Sequence, residues 1–204
     1  MKTRSVSIVL LAVLTLGLVG VAGCEGPTEA PGVADELKGQ TVVASPSWAA
    51  DEVLDMKAMG RRATRVVTGV VESVGPPQTA TLVGGFEDGI TVVYSDATVL
   101  LNGSIKGKSA EESERIAVRL LGGTLSDYTF RYEDEAQMSA GDRVVLFLTD
   151  NPDTLYPRDN GFQYAVLWGV HGAFHMKGNL GTRGAGIPAK HRDVPLSDIE
   201  ASVQ

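Results

Sequence analysis

From Arg65 to Met176 the chain gathers β-branched and apolar residues into short runs and breaks each with Gly, Pro, Asp or Asn. The first, Arg65-Val66-Val67-Thr68-Gly69-Val70-Val71-Glu72-Ser73-Val74, stops at Gly75-Pro76-Pro77. A second, Ile90 to Leu101, follows the turn dipeptide Asp88-Gly89 and ends at Asn102-Gly103. Arg115–Leu121 alternates and closes on Gly122-Gly123, and Tyr128–Tyr132 alternates weakly. Arg143–Leu148 is apolar nearly throughout, as a central strand should be, and Tyr164–Val170 and Ala173–Met176 complete the set. Six or more short strands with such turns predict an all-β fold, a small OB-like barrel or alternatively a β-sandwich. The length of the second run predicts a bent strand or two strands that change sheets. Gly69 inside the first predicts a bulge or a close backbone approach.

A short helix should precede the strands. Ser47 is a candidate N-cap, Asp51 and Glu52 suit a first turn, and Val53, Leu54, Ala58 and Met59 share one face. Gly60 predicts an end or an irregularity there.

The amino terminus is of a different kind. Lys2 and Arg4 precede an uncharged apolar stretch, Val6 to Val21, shorter than the ~20 residues of a membrane-spanning helix. Small residues Val21-Ala22-Gly23 then lead into Cys24, the only cysteine. This resembles the lipobox of bacterial lipoproteins. The resemblance implies a signal peptide over residues 1–23, cleavage before Cys24, a diacylglycerol on its thiol, an acyl group such as palmitate on the new amino terminus, and an extracytoplasmic protein held to the cell membrane. A lone cysteine forms no internal disulfide, so the fold must stand without one. Pro27, Pro31, Gly26, Gly32 and acidic residues follow without apolar periodicity, predicting a flexible tether over 24–44. The β-domain with its leading helix is expected over 45–180, and an irregular tail over 181–204.

Charge narrows the partners. Without residues 1–23, 16 basic and 25 acidic residues remain, a net charge of −9. Nucleic-acid binding needs a basic footprint, so no nucleic-acid partner is expected. The expected partners are the membrane, through the lipid, and a protein or small molecule of unspecified kind.

Candidate chemistry is sparse. His171 and His175 are four apart; on one strand they would lie about 13 Å from each other and share no metal. Asp150, Asp153 and Asp159 supply oxygens of the type calcium takes, but Asp-Asn-Pro and Asn-Gly are equally turn chemistry, the favoured reading. Gly181-Thr182-Arg183-Gly184-Ala185-Gly186 resembles a phosphate loop without the strand-to-helix context that one needs, and reads as a flexible loop. Glu133-Asp134-Glu135 reads as a solvated acidic run. No serine sits in G-x-S-x-G. Phe162, Tyr164, Tyr156, Trp168 and Phe174 crowd the carboxyl-terminal third and read as core rather than as a docking surface. No catalytic residue, metal or cofactor is therefore assigned, and the expected function is a non-catalytic binding or interaction module. The alternatives are a metal-dependent surface hydrolase, a calcium-binding module and a structural envelope component.

The order of motifs, ATRVVTGVVESV, TVVYSDATVLLNGSIKG, IAVRLLGGTL, MSAGDRVVLFLT and YAVLWGVHGAF, resembles that of a group of bacterial secreted or surface proteins of uncharacterised function. Over Asp55 to Lys177 it is distantly similar to netrin-like domains, the OB-type barrels of tissue metalloproteinase inhibitors. That similarity implies the barrel but no inhibitory site, because the framework cysteines are absent and Cys24 is expected to be acylated.

Overall fold

The computed structural model describes residues 39–45, 54–82, 90–152, 155–158, 161–184 and 187–204. The elements are β1 (Thr41–Ala44), α1 (Met56–Arg62), β2 (Arg65–Val74), β3 (Gln78–Leu82), β4 (Ile90–Lys106), β5 (Arg115–Leu121), β6 (Gly123–Leu125), β7 (Tyr128–Tyr132), β8 (Arg143–Thr149) and β9 (Tyr164–Val166). A 3-10 turn (Gly169–His171), β10 (Ala173–Lys177), β11 (Leu180–Thr182), α2 (Ala189–Arg192), β12 (Asp193–Pro195) and α3 (Leu196–Ala201) complete the chain. The expected signal peptide over residues 1–23, Cys24 and the candidate cap Ser47 lie outside the described residues.

The expected barrel forms. Five strands close in the order β2-β4-β5-β9-β8, with β8 returning to β2. Every pairing in the ring is antiparallel except β5 with β9, the Greek-key arrangement of OB-type barrels. Alternation fills the interior: Val67 and Val71 of β2, Ala97, Val99 and Leu101 of β4, Ile116 and Val118 of β5, and Val144, Leu146 and Leu148 of β8 form one buried cluster.

β4 is one long strand within a single sheet rather than two strands that change sheets. It pairs with β2 along one edge and β5 along the other, and its first residues pair with β3. Gly75-Pro76-Pro77 separates β2 from β3 because proline has no N–H for the ladder. The β2–β4 register shifts beside Gly69, where a Cβ would lie 2.6 Å from the Leu100 carbonyl oxygen and 2.7 Å from Val99 Cγ1. The glycine thus marks both the bulge and the close approach that its position predicts.

Two further layers cover the barrel. β1, β7 and β6 form a small sheet, with β1 parallel to β7, around Phe130, Tyr128, Tyr132 and Tyr156. Residues 41–44, expected as the end of a tether, are therefore a strand. On the other side, Met59 of α1 and Ile199 of α3 pack with Phe147, Phe174 and Trp168. Met59, Phe174 and Ile199 are fully buried, each contributing about 1.5–3 kcal/mol by leaving water.

Helix α1 begins at Met56, and the residues expected to open a helix from Ser47 to Val53 lie outside the described residues. Asp55 is its N-cap, with a carboxylate oxygen accepting the Lys57 N–H at 2.9 Å. It also runs through Gly60 rather than ending there, and the missing side chain lets the Ser202 carbonyl come so close that a Cβ would sit 2.3 Å from its oxygen.

The irregular tail is corrected as well. Lys177-Gly178-Asn179-Leu180 makes a hairpin from β10 into β11, β12 pairs with β11, and α3 returns to α1. Gly178 takes φ +63°, the left-handed conformation that a tight Gly-Asn turn requires. The expected strand Tyr164–Val170 also breaks. Trp168 and Gly169 are left-handed, at φ 56° and 54°, and the Val170 N–H donates to the Asp134 carbonyl at 2.6 Å. That bond turns the chain before β10, and it places His171 in the 3-10 turn rather than on a strand with His175.

Candidate functional site

Two clefts flank the C-terminal hairpin. The first, about 410 Å³, lies between the β7–β8 connection and β10 and is lined by Glu133, Asp134, Glu135, Gln137 and His175. Its most buried polar group is occupied. Glu135 accepts the N–H groups of Leu121 and Ala136, both at 3.0 Å, and the Tyr156 hydroxyl at 2.6 Å. This corrects the solvated acidic run: Glu133 and Asp134 are exposed, while Glu135 turns inward and ties the small sheet to the barrel.

The second cleft, about 460 Å³, lies between the start of α1 and the segment β11-α2-β12-α3. Leu54, Met56, Val194 and Ala201 give it apolar walls. Lys57, Arg183 and Lys190 bring positive charge, and Asp55, Asp193 and Asp198 negative charge. The carboxylates already have donors: Asp55 caps α1, Asp193 Oδ1 accepts the Thr182 hydroxyl at 2.9 Å, and Asp198 Oδ1 accepts the Ser197 hydroxyl at 3.4 Å.

Arg183 stands apart. It follows β11, and its backbone N–H donates to the Arg192 carbonyl at 3.0 Å, which fixes the residue against α2. The side chain is 2 % exposed, and its guanidinium carbon lies 4.6 Å from the centre of the Phe174 ring. Nε, Nη1 and Nη2 are all buried and make no hydrogen bond. Burial lowers the guanidinium to about 10, so it remains charged at neutral pH. A buried charge without a carboxylate partner is costly by several kcal/mol, and the aromatic face returns only about 2 kcal/mol of that.

His171 belongs to the same neighbourhood. Its Nδ1 is buried without a partner. Burial first, and then the charge of Arg183, lower its pKa, while Asp134 acts in the opposite sense. His175 instead points Nδ1 at Asp142 Oδ2, 3.5 Å away. The two histidines thus occupy different elements and different surroundings. Asp150 accepts the Thr64 hydroxyl at 2.8 Å, and Asn151 accepts Arg158 Nη2 at 2.8 Å, the bonds of a structured turn. Asp153 and Asp159 lie outside the described residues. Among the described residues, no three His, Cys, Asp or Glu side chains come together as metal ligands.

In OB-type barrels the face of the second and third strands, with the adjoining loops, takes ligands. The corresponding strands here are β4 and β5, and that face is occupied by the chain itself. Arg119 of β5 binds Asp96 of β4 through Nε and Nη2 at 2.8 and 2.9 Å and donates to the Pro157 carbonyl at 2.6 Å. Its guanidinium also stacks on Tyr94 at 4.1 Å. The aromatic residues follow the core expectation at Tyr156, Trp168 and Phe174, which are buried, while Phe162 and Tyr164 are half-buried.

Sequence reasoning passed over Arg183 because it sits in a glycine-rich run that reads as a loop. The usable signal was the Gly178-Asn179 turn between two β-compatible segments, which extends the sheet and carries Arg183 onto the apolar layer. No family model matches the chain, and no curated protein matches it.

Proposed function

We propose that the protein is a lipid-anchored extracytoplasmic binding module, with a thioether-linked lipid at Cys24 holding the barrel near the membrane and a small ligand entering the cleft between α1 and the C-terminal segment. The observation that carries the binding role is the unpartnered, buried guanidinium of Arg183 beside that cleft. Binding rather than catalysis follows from the chemistry of the group. An arginine stays protonated and has no acceptor, so it holds and neutralises an anion but shuttles no proton. The anchor rests on the charged start, the apolar stretch and Val21-Ala22-Gly23-Cys24.

The anchor is tested by fractionating cells that produce the wild type or Cys24→Ala and by mass spectrometry of the mature amino terminus. The expected wild-type product lacks residues 1–23, carries diacylglycerol at Cys24 and stays with membranes, whereas Cys24→Ala carries no lipid. An intact leader on the wild-type product, or membrane retention without added lipid mass, defeats the anchoring half of the proposal.

A further inference from the structure

We infer that the cleft beside Arg183 receives a small ligand bearing one carboxylate on a short apolar body, with the Arg183 guanidinium binding the carboxylate. The inference rests on the binding role proposed above and names the ligand class for that site.

The guanidinium itself is the first argument. Its three nitrogens are buried and unbonded, which leaves all five N–H donors unused. Phe174, its ring centre 4.6 Å from the guanidinium carbon, offers no lone-pair acceptor to those donors. Donation runs in the plane of the guanidinium, and two parallel N–H bonds match the two oxygens of a carboxylate.

Charge in the rest of the cleft selects the number of negative charges. Asp55, Asp193 and Asp198 line the same space. Beyond Arg183 these three carboxylates face only Lys57 and Lys190, a net charge of −1, so a phosphate dianion meets twice the repulsion that a monoanion does. Leu54, Met56, Val194 and Ala201 then offer apolar walls that a methylene chain covers at about 0.8 kcal/mol per group buried. The volume, about 460 Å³, lies within the range of small-molecule sites.

Entry is through the α2 side. The guanidinium nitrogens are closed to solvent, so entry requires α2 to swing outward and release the Arg183–Arg192 backbone bond; none of its own four residues is buried, while Ile187 before it and Val194 after it stay in the core. The layer below, held by Phe174, Val194 and Ile199, stays packed.

The test uses the full chain in detergent and isothermal titration calorimetry at constant ionic strength. The probes are sodium butyrate, acetate, butanol and inorganic phosphate. Butyrate is expected to bind one to one and acetate about tenfold more weakly, from the two methylenes lost. Butanol and phosphate are expected not to bind. Arg183→Met should weaken butyrate at least about a hundredfold, a loss in the range for an unreplaced charged hydrogen-bonding pair, while leaving the ligand-free Tm equal or higher. Ala201→Phe, at an exposed position ending α3, should block butyrate with Arg183 intact, and it carries the test if the Arg183 variant does not fold. Absent butyrate binding, equal binding to Arg183→Met and wild type, or phosphate binding as tight as butyrate overturns the inference. A lipidated chain that binds none of the probes loses this inference and keeps its anchor. A chain that binds butyrate without lipid at Cys24 keeps the inference and loses the anchoring proposal.

Discussion

Two arginines in this molecule are equally buried and differently used. Arg119 is 1 % exposed and Arg183 2 %. Arg119 lies directly across the β4–β5 ladder from Asp96, and that register delivers a bidentate ion pair, a carbonyl acceptor and an aromatic face together. Arg183 has the aromatic face alone. Burial therefore says little about an arginine's role, whereas the count of its satisfied donors says much. Arg119 closes a surface that related barrel shapes leave to ligands, and Arg183 leaves a charge for something from outside to complete. Arg65, also 2 % exposed, is a third case, paired with the more open Glu114.

The sharpest way to break the contrast is at Asp96. Asp96→Ala should destabilise the chain by about 3–5 kcal/mol, because it takes the bidentate carboxylate away from a buried guanidinium, and chemical denaturation measures it. Adding Arg119→Met to that variant should recover a large part of the loss. Arg183→Met should do the reverse and stabilise the ligand-free chain by about 1–4 kcal/mol, since a costly charge gives way to an apolar side chain of similar length. A loss of stability there would mean that Arg183 already has a structural partner, and the contrast would collapse.

Acid sharpens the comparison further. The folded pKa of His171 lies below its ordinary 6.5, so the unfolded chain takes up the proton first. Its contribution to stability is full above pH 6.5 and is lost as pH falls from there toward the folded value. Because Arg183 helps lower that pKa, the loss should be shallower in Arg183→Met than in wild type, as read from thermal melts at successive pH values. Glu114 titrates later. The Arg65 guanidinium, bonded to it at 2.8 Å, holds it at about 2 rather than 4.5. That contribution is present above pH 4.5 and disappears as pH falls toward 2, so Glu114→Gln should flatten the melting curve in that interval alone. The smallest effect is expected from Phe162→Leu, whose ring lies 5.7 Å from the Arg119 guanidinium; a loss of about 0.5–1 kcal/mol in denaturant melts is anticipated.

The strands were legible because their signals are local. β2, β5, β7 and β8 follow β-branched periodicity, and Gly69 announces its bulge. The break after Val166 was hidden, because Leu167-Trp168-Gly169-Val170 continues the apolar run and only the Asp134 carbonyl turns it. Glu135 was hidden for the same reason. Its donors, Leu121, Ala136 and Tyr156, come together only after the small sheet has docked. Of the candidate site, the Gly178-Asn179 turn was readable in advance; the cleft was not, since its walls lie more than a hundred residues apart in the chain.

Alternation and turn chemistry by themselves determine that this chain is all-β, because a strand's two faces are written into neighbouring residues, whereas closure into a barrel rather than a sandwich was decided by long-range pairing. Whether a buried arginine is satisfied depends on which groups the closed barrel brings to it across long sequence separations. Tertiary structure alone decided that Arg119 meets Asp96 and that Arg183 does not meet a carboxylate, since register and docking, rather than residue type, set where each guanidinium comes to rest.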